Sequence, residues 1–135
     1  MANSLLSCGV RTTIAILLAV TVLLGSRPAH AAGDPVHGEK VFQRCKACHT
    51  LEPGTTRIGP SLAGVIGRKA GSVEGFKYSE ALANARNSVV WDDASLDAWL
   101  TNPKKFIPGN RMAFPGLPNA QDRADVIAYL HQAAK

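Results

Sequence analysis

Cys45, Cys48 and His49 are the residues of this chain whose types and spacing carry the clearest chemistry. Two thiols three positions apart, followed at once by an imidazole, form the C-x-x-C-H pattern of covalent c-type haem attachment. Each thiol adds to one vinyl group of the ring, which bolts the peptide to the ring edge. His49 is then held under the iron as the proximal nitrogen ligand. Other uses of a close cysteine pair fit less well. A thioredoxin-like redox pair belongs in a βαβ setting, and no such pattern surrounds this one. A zinc site needs two further ligands at short spacing, and only the scattered His37 and His131 remain. A structural disulfide across so short a loop leaves His49 unexplained.

Haem iron has a second axial position, and its occupant decides the function. The chain has two methionines, Met1 and Met112, and the first lies in a segment expected to be removed as a leader. Met112 ends the run Ile107-Pro108-Gly109-Asn110-Arg111-Met112, where proline and glycine stiffen the backbone. A ligand loop needs that stiffness if iron is to change charge without moving its ligands. The alternatives are a methionine that fills a core gap, or a second histidine ligand from His37 or His131. Both histidines fall on expected helices, at positions that read as exposed.

The elements that must position these groups read as helices. Asp34 followed by Pro35 is a helix-start signal, and Gly38, Val41, Phe42 and Cys45 follow at i, i+3, i+4 and i+7. The helix should end near the cysteine motif. Gly38 within it costs roughly 1 kcal/mol relative to alanine, which close approach of another helix would offset. The partner expected is a C-terminal helix over 120–134, capped by Asn119, with Val126, Tyr129, Leu130 and Ala133 inward. Gly38 and Phe42 should meet Val126 and Tyr129. Residues 51–71 read as loop and 79–86 as a short helix. A clearer helix, capped by Asp92 or Asp93, should bury Leu96, Trp99 and Leu100 and stop at Pro103. Residues 104–106 read as one more turn, and 106–118 as extended. No stretch alternates as a strand does, and there is no internal repeat. The class is all-α.

At 135 residues the chain has room for one domain. Its first part reads as a cleaved secretory signal peptide, 1–31: Arg11 closes a basic n-region, 14–25 is apolar, and Ala29-His30-Ala31 offers a small-residue cleavage site. The apolar run is shorter than the ~20 residues of a spanning helix. Cys8 precedes it and would be discarded with the leader. The expected mature domain is 32–135. Loss of Arg11 and Arg27 takes the 15 basic residues to 13, against 10 acidic ones, for a net charge of +3. That balance, without longer Lys/Arg clusters, argues against nucleic acid as a partner. Eight aromatic residues (Phe four, Trp two, Tyr two) leave a thin core for a domain of this size, and a haem would supply the missing apolar bulk.

Across nearly all of the mature chain the sequence resembles class I cytochrome c, in particular the bacterial cytochrome c2 and mitochondrial cytochrome c group. The stretches that carry the resemblance are Gly38 with Phe42, the 45–49 motif, Gly59-Pro60-Ser61-Leu62, Gly67-Arg68-Lys69 and Gly75-Phe76-Lys77-Tyr78. They continue through Trp91, Asn102-Pro103-Lys104-Lys105, Ile107-Pro108-Gly109, Met112-Ala113-Phe114 and residues 123–130. The resemblance implies a small cytochrome c fold in which the terminal helices cross and the chain wraps one covalent haem c. It implies His49 and Met112 as axial ligands, and the Pro60 carbonyl as acceptor for the other ring N–H of His49. It places Arg68, Tyr78 and Trp91 at a buried propionate, which would be costly unpaired, and Phe114 beside the cofactor. Four features depart from the pattern. Trp99 stands where mitochondrial proteins usually have a tyrosine, an asparagine of their pattern is replaced near Leu82, and the segment from Tyr78 to Trp91 is about two residues longer. The lysines that often follow Phe114 are also absent, with Pro118 and Asn119 in their place.

With both axial positions filled by protein, no substrate reaches the iron. The expected function is one-electron transfer in the periplasm by a monomeric, exported carrier that is not an enzyme and has no stable membrane insertion. Arg44, Lys46, Arg57, Lys104, Lys105 and Arg111 flank the segments that should surround the haem edge. They would dock briefly on acidic surfaces of redox proteins. Oxidoreductase complexes of a respiratory chain, terminal oxidases or reductases, or a photosynthetic reaction centre all qualify. The competing classes are a small haem peroxidase with a displaceable Met112 and a ligand-sensing haem protein. Both need an open iron site.

Overall fold

Asp34 starts the first helix as read: its carboxylate accepts the Val36 N–H at 2.9 Å, and Pro35 occupies the first turn. The computed structural model describes residues 32–135, so the expected leader and Cys8 lie outside the described residues. Five α-helices follow in order. They are α1 (Pro35–Lys46), α2 (Glu80–Asn84, continued by a 3-10 turn over Ala85–Asn87), α3 (Asp93–Thr101), α4 (Pro103–Phe106) and α5 (Ala120–Ala133). Among the described residues there is no strand, only an isolated antiparallel bridge between Lys69 and Val90. None of the described helices is long and apolar enough to cross a membrane.

The crossing of α1 on α5 organises the molecule. A Cβ on Gly38 would overlap the Asp125 carbonyl, so only glycine lets the backbones approach this closely. Next to that contact Phe42 is fully buried, its ring 5.3 Å from that of Tyr129. The buried face of α5 differs from the expected stripe: Tyr129 and Ala133 are half-buried, whereas Ile127, Arg123 and Asp125 are buried. Arg123 and Asp125 are inside because each meets partners there. Arg123 donates to Asp97 of α3 at 2.7 Å and to the Leu117 and Pro118 carbonyls at 2.9 and 3.1 Å.

On α3, Asp92 and Ser95 cap the helix reciprocally, which satisfies two orphan amide groups at once. Leu96, Trp99 and Leu100 are buried as expected. Pro103 does more than stop α3. Asn102 ends that helix and also caps α4, its side chain accepting the Lys105 N–H at 3.0 Å, so Pro103 becomes a buried first residue of α4. Residues 107–118 then run without helix back towards α5, tied where the Leu117 N–H donates to the Leu100 carbonyl at 2.7 Å.

Candidate functional site

The end of α1 builds the attachment motif. The helix runs through Cys45 and Lys46, and the Cys48 and His49 N–H groups both donate to the Cys45 carbonyl, at 3.0 and 2.9 Å. One further turn therefore brings the second thiol within electrostatic reach of the first, with His49 following directly in the chain. Both cysteines carry free, half-buried thiols. Burial pushes the Cys45 thiol up to about 11, with Arg44 opposing and Cys48 adding to the rise. A redox-active or zinc-binding cysteine has the opposite environment, one that stabilises thiolate. Among the described residues, no three His, Cys, Asp or Glu side chains gather as a site for zinc or another metal, and no strand supplies the βαβ setting of a thioredoxin-like pair.

His49 Nδ1 lies 2.8 Å from the Pro60 carbonyl oxygen. A carbonyl can only accept, so Nδ1 carries the proton and Nε2 keeps a lone pair. Burial holds the imidazole below its ordinary pKa; the Pro60 bond opposes this and the Arg68 charge reinforces it. The ring is a neutral, oriented nitrogen donor. Gly59 makes room for it, because a Cβ there would overlap the imidazole itself. Sequence reading missed this role of Gly59. Gly59→Ala is expected to push the ring off the Pro60 carbonyl and to lower haem loading, measured as Soret absorbance per mole of purified chain.

Met112 is half-buried in the 107–118 segment, and it packs against the core with Leu62, Leu82, Phe106 and Phe114. These side chains, with Cys45 and Leu51, border the buried core without being covered themselves. A neutral imidazole and two thiols at the end of α1, with a half-buried thioether and partly covered apolar side chains elsewhere at the core's border, are a donor set that suits a flat apolar ring carrying a soft metal. His37 and His131 are engaged elsewhere: His37 Nδ1 pairs with Asp125 at 2.7 Å, and His131 Nε2 with Asp93 at 2.6 Å.

Arg68 and Trp91 are joined through their backbones, the Trp91 N–H donating to the Arg68 carbonyl at 2.9 Å. The Arg68 guanidinium donates to the Ala63 carbonyl at 2.6 Å and the Ser61 carbonyl at 2.9 Å. Burial lowers its pKa, with Tyr78 opposing. Burial also raises Tyr78, whose hydroxyl accepts the Val73 N–H at 3.3 Å. Trp91 is buried, in a three-ring cluster with Trp99 and Phe106 at centroid distances of 5.4 and 6.4 Å.

All six expected docking cations are exposed, and none is paired with a carboxylate among the described residues. Three are nevertheless held in place by backbone carbonyls. Arg57 donates to Lys46 at 3.2 Å, Lys104 to Asn110 at 2.7 Å, and Arg111 to Lys77 at 3.0 Å. No local pattern signals such bonds.

Comparison with known proteins agrees with this geometry. The family model described as Cytochrome c matches residues 35–134. Cytochrome c2 of Rhodomicrobium vannielii is 50% identical over 121 residues, covering 87% of this chain and 93% of that protein. Cytochrome c2 of Rhodoblastus acidophilus is 51% identical over 102 residues, covering 75% and 94%. Among solved structures, cytochrome cH from Methylobacterium extorquens superposes with a TM-score of 0.69 at 45% identity, covering 73% of this chain and 98% of that one.

Proposed function

Because this chain belongs to the cytochrome c family, which binds one haem c covalently through cysteines that Cys45 and Cys48 match, we propose that it is a periplasmic one-electron carrier with His49 and Met112 as axial ligands. The observation that carries the reading is the His49–Pro60 bond at 2.8 Å. It fixes the tautomer, leaves Nε2 free to ligate and strengthens the nitrogen as a donor. The bound haem supplies a one-electron ferric–ferrous couple. The chain's own residues do the rest.

Met112 would fill the sixth position with a soft thioether, which favours the ferrous state and raises the potential. Phe114, Leu62 and Leu82 would keep water from the ring. Arg68, with Tyr78 and Trp91, would hold a propionate, the remaining N–H donors of the Arg68 fork suiting a carboxylate. Occupation of both axial positions would deny substrates access to the iron. Carbon monoxide tests this: the native ferrous holo-protein should bind it slowly, and rapid binding would favour a peroxidase or sensor instead.

Partner choice would come from the cationic face. Charges already held by carbonyls lose less freedom on docking than free side chains do. Ile58 adds an apolar contact there, at 80% exposure between Arg57 and Gly59. The expected partners are acidic surfaces of redox complexes, met transiently by a monomer. On a gold electrode coated with carboxylate-terminated alkanethiol, Lys105→Gln should weaken adsorption roughly two- to fivefold at low salt. The difference should vanish at high salt, and the midpoint potential should stay unchanged. Salt-independent weakening would remove the electrostatic account.

A further inference from the structure

Asn110 is only 3% exposed, although Pro108, Gly109 and Arg111 around it are exposed. A buried polar side chain in an extended segment needs partners, and Asn110 has one for each part of its amide. Its Nδ2 donates to the Pro103 and Ile107 carbonyls, both at 2.8 Å. Its Oδ1 accepts the Met112 N–H at 3.0 Å. Its backbone N–H donates to the Ile107 carbonyl at 3.2 Å, and its own carbonyl accepts Lys104 Nζ at 2.7 Å. The start of α4, the beginning of the loop and the backbone of Met112 therefore meet at one side chain.

Only a primary amide meets these demands, with two donors on one side and an acceptor on the other. Aspartate would turn an acceptor towards two carbonyls, and serine has a single donor. We propose that Asn110 is the positioning residue of the Met112 loop: it fixes the backbone from which the thioether reaches the iron, and so sets how rarely the sixth position opens. The 107–112 segment has no helix or strand ladder to hold it, so its rigidity depends on these side-chain bonds. The proposal rests on the reading that Met112 is the axial ligand.

The test uses ferric holo-protein at fixed neutral pH with added imidazole as the probe, because imidazole binds the iron only when the thioether leaves. Binding is followed by loss of the methionine-to-iron charge-transfer absorption and by the Soret shift. Asn110→Ser should raise the apparent imidazole affinity on the order of tenfold, the equivalent of one ordinary buried hydrogen bond. It should also speed amide exchange at Met112. Val126→Ala, at the helix crossing, is the control for general destabilisation and should leave the imidazole affinity unchanged. An Asn110→Ser protein that binds imidazole no better than the parent overturns the positioning role, as does equal enhancement in Val126→Ala. Met112→Ala separates the two levels. If it leaves imidazole affinity unchanged, the ligand reading fails; if it raises affinity while Asn110→Ser does not, only the positioning role fails.

Discussion

Replacing Met112 with alanine is expected to lower the midpoint potential of the holo-protein by more than about 59 mV, a tenfold shift in the one-electron equilibrium. Outside the N-terminal residue, Met112 is the chain's single thioether, so no other side chain can substitute for it as a soft donor. A thioether stabilises ferrous iron relative to ferric. Water or hydroxide in its place would reverse that preference. The methionine charge-transfer absorption should disappear, and ferrous iron should bind carbon monoxide readily. Voltammetry of the purified variant decides the matter: an unmoved midpoint would show that the sixth ligand lies elsewhere.

The second large effect is expected at the crossing of α1 and α5. Asp125 is 2% exposed, and its carboxylate is surrounded by donors. The Asp34 N–H and Gln121 Nε2 each donate to Oδ1 at 2.7 Å, and His37 Nδ1 meets Oδ2 at 2.7 Å. Asp125→Ala should cost about 2–4 kcal/mol, because hydrogen bonds to a charged acceptor are lost and the Asp34 amide is stranded near the interface. For a domain of this size that corresponds to a fall in Tm of roughly 10–20 °C. Asp125→Asn keeps one acceptor for the Asp34 amide and should recover part of the loss.

The pH dependence of that site has a definite sign. Burial alone would raise the Asp125 pKa, but the bonds from Asp34, Gln121 and His37, with the His37 charge, outweigh it and hold the carboxyl below its ordinary value. A group with a depressed folded-state pKa contributes its full stability above the unfolded value of about 3.9. That contribution is lost as pH falls from there through the lower folded value. Acid unfolding should therefore be shallower in Asp125→Asn than in the parent below about pH 4. Equal slopes, followed by circular dichroism, would show that Asp125 does not drive the acid transition.

Some of this protein is written in short stretches of chain. The 45–49 motif names its cofactor because covalent attachment needs two thiols and an imidazole at fixed spacing. Asp34, Asp92 and Asn119 mark helix starts because a cap bonds an amide two or three residues away. Met112 stood out as the one available thioether, and Gly38 announced a close helix contact. In each case the physical cause acts within a few residues, or follows from there being one residue of its type beyond Met1.

What the tertiary structure decided involves partners distant in sequence. Asp125 and Arg123 look like surface charges of an amphipathic helix, yet they are buried because α1 and α3 bring donors and acceptors to them. Nothing near Gly59 reveals that the His49 ring lies against it. Neither does a polar residue in a proline-glycine loop show that its amide ties α4 to Met112. Burial of a polar group depends on which non-local backbone groups remain to be satisfied once the chain has packed. Only the folded backbone determines which groups those are.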